Sequence, residues 1–143
     1  MSELRKKIHE ILKVPQLDSL ATLTGDGKPW VCYVMIVTSE NLIINFATFV
    51  KSRKVEQIKN NPEVHLTCGS TDPNEIKPYL QIQGRAQLNT SHDLRHDFWC
   101  GILEKIFQVP DDPNYGIIQV IPYRIEYCEY GEMELEVWSS PTA

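Results

Sequence analysis

Between Asp18 and Thr48 the chain runs through three apolar segments, DSLATLT, WVCYVMIV and LIINFAT, separated only by the short polar turns GDGK and SEN. Parallel strands need a crossover of a dozen or more residues, so segments this close together pair antiparallel as hairpins. Gly25 and Gly27 supply the positive φ that tight hairpin turns require. WVCYVMIV is rich in β-branched and aromatic side chains, and its near-continuous hydrophobicity predicts burial on both faces. The chain therefore begins as an antiparallel meander and not as a βαβ repeat.

Helical periodicity appears around this meander. SELRKKIHEIL places Leu4, Ile8, Ile11 and Leu12 on one face, with Ser2 as N-cap and Pro15 as the stop. KSRKVEQIKNN predicts a second helix, ended before Asn61-Pro62. EVHLTCG and YLQIQGRAQL read as strands joined by the loop STDPNEIKP, and Gly84 marks a bulge or a close backbone approach. TSHDLRHDFWCGILEKIF predicts the longest helix, capped by Thr90 or Ser91. Its face of Phe98, Trp99, Ile102, Leu103, Ile106 and Phe107 is read as core or dimer packing. IIQVIPYRIEYCEY and, after Gly131, ELEVW complete the strands. The expected fold is mainly β: six or seven antiparallel strands closed into a small barrel, with two to three flanking helices near 3–13, 52–60 and 91–107. Closure removes the exposed edges that long apolar strands would otherwise present. At 143 residues, with no repeat and no linker, residues 1–143 are expected to form a single domain.

Composition excludes several functions. The net charge of −5 and the pI of about 5.3 argue against a nucleic-acid partner. Mean hydropathy is −0.29, and the longest apolar run, Trp30 to Val37, is too short for a bilayer. MSELRKKIHE is charged where a signal peptide needs an apolar stretch, so a cytoplasmic location without membrane contact is expected. Cys32, Cys68, Cys100 and Cys128 form no CxxC and are read as reduced thiols, mostly buried. His92 and His96 stand four residues apart without an HExxH glutamate or a third ligand nearby in the chain. They are read as a surface pair, and no metal is expected. His9 and His65 stand alone, and Asp111-Asp112 before Pro113 reads as a loop turn. No nucleophile elbow, Walker A or dinucleotide fingerprint is present, and the catalytic residues stay unknown.

One stretch breaks a local rule. In FATFVKSRKVEQIKNN, Lys51, Arg53 and Lys54 crowd the expected N-terminus of a helix, where each cation costs a few tenths of a kcal/mol against the helix dipole. A bound anion resolves the conflict. Free amides, the Thr48 and Ser52 hydroxyls, a bidentate Arg53 and the Lys54 charge together make a phosphate cradle. A solvated basic turn is the alternative reading.

These residues also carry a resemblance. A strand ending in Ala47-Thr48, then Ser52-Arg53-Lys54 and a helix closing at Asn60-Asn61-Pro62 resembles pyridoxamine 5′-phosphate oxidase and its FMN-binding split-barrel relatives. GKPWVCYVMIV upstream and YLQIQGRAQL downstream fit the same order. DDPNYGIIQVIPYRIEY is similar to the small bacterial general-stress-protein branch, and the likeness covers roughly residues 4 to 130. It implies a split-barrel homodimer with FMN at the subunit interface and a small-molecule redox substrate. Arg53 and Lys54 would hold the FMN phosphate, with Ser52, Thr48 and Ala47 beside them. Val31, Cys32, Tyr33 and Val34 would line the isoalloxazine edge, largely through backbone. Tyr79 or Gln81 would approach the ring or ribityl chain, from the partner subunit in one arrangement. The oxidase has an arginine where this chain has Cys32, a lysine where it has Val37, and an Arg-x-His motif that is missing near Glu132 to Trp138. The resemblance therefore implies a flavin-dependent oxidoreductase without the vitamin B6 activity. A non-catalytic FMN carrier or sensor is the alternative, and haem or a deazaflavin in the same barrel is a third.

Overall fold

Ser2 accepts a hydrogen bond from the Arg5 amide at 3.1 Å, and helix α1 (Glu3–Leu12) follows it. Ile8 and Leu12 are buried, with Leu4 and Ile11 packed partly against the same core. The computed structural model describes residues 2–69 and 72–141; Ser70 and Thr71, at the start of the expected STDPNEIKP loop, lie outside them. After α1 come β1 (Gln16–Leu23), β2 (Pro29–Thr38), β3 (Ile44–Phe49), α2 (Arg53–Asn60), β4 (Glu63–Gly69), β5 (Tyr79–Asn89), α3 (His92–Phe98), α4 (Gly101–Glu104), β6 (Tyr115–Cys128) and β7 (Glu136–Ser139).

The strands run in the order β3-β2-β1-β4-β5-β6-β7, every pair antiparallel, and β3 returns to pair with β6. Six strands thus close into a barrel, with β7 attached along the second half of β6. Leu20, Ile36, Ile44, Phe46, Leu66, Leu80 and Ile82 fill the interior, all fully buried. The turn between β1 and β2 uses Gly27 at φ 81°, whereas Gly25 does not take a positive φ. The register shifts between Gln83 and Gly84, the bulge expected there. A Cβ at Gly84 would lie 2.9 Å from the Ile121 carbonyl oxygen, so the crossing of β5 and β6 requires a glycine.

Two further expectations are corrected. The helix expected over 91–107 is broken: Ser91 caps α3, Trp99 and Cys100 are extended, and α4 restarts at Gly101. The break turns the Trp99 ring onto Tyr115, 5.5 Å away. Tertiary packing there overrides helical periodicity, helped by the low helix propensity of Gly101. Leu103 and Phe107 join Tyr115 and Ile117 in a second buried cluster on the outer side of β3 and β6, while Ile102 and Ile106 remain exposed. Strand β2, expected to be buried on both faces, is buried on one. Val34 and Ile36 point inward, while Val31, Tyr33 and Met35 are 63%, 73% and 49% exposed. One small barrel has only one interior, so the alternate side chains of β2 face outward whatever their hydrophobicity.

Candidate functional site

Helix α2 plugs one end of the barrel. Val55 and Ile58 are buried in the core, and Gln57 accepts a hydrogen bond from the Thr22 hydroxyl of β1 at 2.5 Å, both side chains being buried. This polar contact ties α2 to β1 across the barrel end, near the start of β2 and the end of β3. Ser52 is the N-cap by backbone conformation, yet its hydroxyl makes no cap hydrogen bond. It lies instead 3.1 Å from the Thr48 hydroxyl, which is itself buried at the end of β3. The first-turn amides of α2 are thus left without a side-chain acceptor, where a serine would normally supply one.

Three cations, Lys51, Arg53 and Lys54, lie in the turn and first residues of this open end. Arg53 lays its guanidinium over the Trp30 indole, 4.3 Å from the ring centroid. Stacking leaves the edge of the guanidinium, which carries the N–H groups, free to meet an oxyanion. Among the described residues, Lys51, Arg53 and Lys54 make no ion pair with any carboxylate. Uncapped amides, two hydroxyls and unneutralised cations compose a site whose chemistry suits a phosphate.

The remaining expected site residues divide by face and by end. Thr48, Ser52, Arg53 and Lys54 sit together at the barrel end that α2 closes. Ala47 is turned to the opposite face of β3, against the Leu103, Phe107, Tyr115 and Ile117 cluster, so only its backbone is available to the cradle. Cys32 and Val34 point inward; Val31 and Tyr33 point out. Tyr79 and Gln81 are not brought to the cradle within one chain. Tyr79 pairs with Gly69 and Cys128, at the far ends of β4 and β6, and therefore at the opposite end of the barrel.

Leu17, Val31, Tyr33, Met35 and Val37, all outward and exposed, form an apolar band along β1 and β2 between those two ends. At the far end of the band the β1–β4 ladder runs out after Ser19 and Thr67, and a pocket of about 350 Å³ opens between the strands. Tyr33, Tyr79 and Tyr130 line it, with the Tyr79 and Tyr130 rings 5.4 Å apart.

Sequence reasoning missed two residues here. Trp30 reads only as a strand residue in the sequence, and nothing local there signals its pairing with Arg53. Asp18 reads only as the start of a strand in the sequence. It is 3% exposed, beside the pocket, with Oδ2 unpartnered. Burial pushes its carboxyl up to about 6, partly offset by hydrogen bonds from the Cys68 thiol and the Gly69 amide. Burial, with the Asp18 carboxylate beside it, also pushes the Cys68 thiol far up, so this cysteine is an inert neighbour.

A closed antiparallel barrel, an α2 plug and a basic end together define a split-barrel protein. The sequence profile of pyridoxamine 5′-phosphate oxidase matches residues 4–129, and the chain belongs to that family. It is 32% identical over 130 residues to General stress protein 26 of Bacillus subtilis (strain 168), covering 91% of each chain. The crystal structure of General Stress Protein 26 from Bacillus anthracis str. Sterne superposes with a TM-score of 0.83 at 27% identity, covering 97% of this chain and all of that one. A haem-binding protein from Mycobacterium smegmatis shares the fold at 14% identity and a TM-score of 0.75, over 97% of this chain and 59% of the other. Among the described residues, no helix is long and apolar enough to cross a membrane.

Proposed function

We propose that this chain is an FMN-binding flavoprotein, a flavin-dependent oxidoreductase that works as a homodimer on a small-molecule redox substrate. The observation that carries the reading is the diverted cap: Ser52 turns to Thr48 and leaves open the first-turn amides of the helix that Arg53 and Lys54 begin. That arrangement is destabilising for a bare helix and is resolved by a phosphate.

The cradle residues would hold the FMN phosphate, Arg53 through paired N–H donors and Lys54 as a point charge. The β2 backbone and the apolar band would take the ring, excluding water from one side. Bound flavin supplies the electron and hydride chemistry; the protein supplies orientation, electrostatics and access. Because the band joins the cradle at one end to Tyr79 at the other, a twofold axis across it would set the partner's tyrosine over this chain's cradle. A second copy also removes from water an apolar surface that a monomer rarely exposes.

A non-catalytic FMN carrier is the second reading, favoured by the apolar Cys32 and Val37 where the oxidase has arginine and lysine. The absorbance spectrum of the purified protein, with the released cofactor identified by mass, tests the flavin. A haem Soret band in place of flavin bands overturns it. Steady-state turnover with NADH or NADPH and a panel of acceptors then separates enzyme from carrier.

A further inference from the structure

His92 and His96 lack a third ligand in the sequence around them, and the fold supplies one. The loop after α4 brings Asp111 to the exposed face of α3, with Asp111 Oδ1 2.8 Å from His96 Nε2 and 3.8 Å from His92 Nε2. The three ligand atoms lie within 4.8 Å of one another. A tetrahedral ion with bonds of about 2.0–2.1 Å holds its ligand atoms about 3.4 Å apart. The His92 and His96 rings, stacked with centroids 3.9 Å apart, turn about their side-chain torsions to aim both Nε2 atoms at one ion.

The surroundings build this convergence. His92 Nδ1 lies 3.3 Å from Asp93 Oδ1, which occupies the outer ring nitrogen and leaves Nε2 to face inward, the carboxylate–imidazole arrangement that backs metal ligands. Arg95 ties α3 to the loop on either side of Asp111, donating to the Pro110 and Asp112 carbonyls at 3.3 Å each, and the Tyr115 hydroxyl donates to the Arg95 carbonyl at 2.9 Å. Asp112 is engaged by the amides of Asn114 and Gln108, so Asp111 is the carboxylate left to the histidines.

We propose that His92, His96 and Asp111 form a binding site for a first-row divalent cation of the zinc type. Two imidazole nitrogens and one carboxylate oxygen hold the ion, and its remaining positions are open to water or an external ligand. The mixed donor set selects against magnesium and calcium, which take oxygen ligands. The ion latches α3 to the loop, whose Asn114 carbonyl accepts the Val50 amide at 2.9 Å, directly before the basic turn. The site goes beyond the flavin reading and does not depend on it.

Chelator-treated full-length protein titrated with Zn²⁺ by calorimetry, and with Co²⁺ by visible absorption, tests the site. One equivalent per chain is expected. His96→Ala and Asp111→Asn should each weaken uptake by more than about 100-fold, and Asp93→Asn by about tenfold. His65→Gln and Cys100→Ser should leave it unchanged. His92, His96 and Asp111 are exposed, so matching metal-free melting curves will show that the variants fold. A wild-type protein that takes up no Zn²⁺, or uptake that survives His96→Ala or fails with Cys100→Ser, overturns the assignment.

Discussion

The guanidinium of Arg53 rests on the indole of Trp30, 4.3 Å from its centroid, and this contact joins the first turn of α2 to the first residues of β2. Trp30 is 45% exposed, so the stack is open to solvent on one side and contributes about 0.5–1 kcal/mol. It aims the cation more than it stabilises the fold. Trp30→Ala should weaken FMN binding by roughly two- to fivefold with the melting temperature of the apo-protein little changed. Fluorescence titration of apo-protein with FMN checks this, and an unchanged affinity would mean that Arg53 needs no platform.

Asp18 gives stability an unusual pH dependence. Its carboxyl is held up to about 6 by burial, against an ordinary value of 3.8, so between those values the folded chain keeps a proton that the unfolded chain has released. Stability from this group therefore falls as pH rises from about 4 to 6, and the full penalty, on the order of 3 kcal/mol, persists above. Asp18→Asn should raise the melting temperature at pH 7 and lose that advantage below pH 4. Thermal melts of both proteins across pH 3.5–8 test it; a difference that does not vary with pH contradicts the account.

Gly84 tolerates no side chain. A Cβ would meet Val120 Cγ1 at 2.8 Å, the Ile121 carbonyl oxygen at 2.9 Å and Pro122 Cα at 3.2 Å, and two of these are backbone atoms of the neighbouring strand that cannot rotate away. Gly84→Ala should destabilise by about 1–3 kcal/mol, read as a lower urea midpoint with an unchanged slope.

The apolar band predicts an oligomer. Val31→Glu with Met35→Glu places charges on two exposed positions of β2 and leaves the barrel interior untouched. Sedimentation should shift from dimer to monomer, with loss of FMN affinity in step. Wild-type protein that sediments as a monomer at micromolar concentration with FMN bound would sink the interfacial arrangement.

Features that depend on neighbours in sequence were legible there. The Ser2 cap, the Gly27 turn, the Asn61-Pro62 stop and the Gly84 bulge each follow from one or two residues and their local geometry. The basic turn was legible too, because three cations at a helix start conflict with the helix dipole. Features that depend on closure were not. The outward face of β2 is apolar, so hydrophobicity alone could not tell a buried face from one awaiting a partner. Trp30 meets Arg53 only because α2 folds back across the barrel end. Asp111 reaches His92 and His96 only because the helix expected over 91–107 breaks at Trp99 and Cys100. The opposite placement of Tyr79 and the cradle follows from strand order, which the sequence does not spell out.

The most direct test of the central claim, that the α2 end binds the flavin's phosphate, compares FMN with riboflavin on wild-type apo-protein, Arg53→Ala and Lys54→Ala. Each variant should lose about 1.5–3 kcal/mol, or roughly 10- to 150-fold, in FMN affinity, with Arg53 the more damaging and Arg53→Lys only a partial rescue. Riboflavin should bind all of them almost equally. Lys54→Ala apo-protein should melt no lower than wild type, and Arg53→Ala lower by no more than the loss of its stack on Trp30 accounts for. FMN affinity unchanged in both variants, or riboflavin affinity lost alongside it, would contradict the claim.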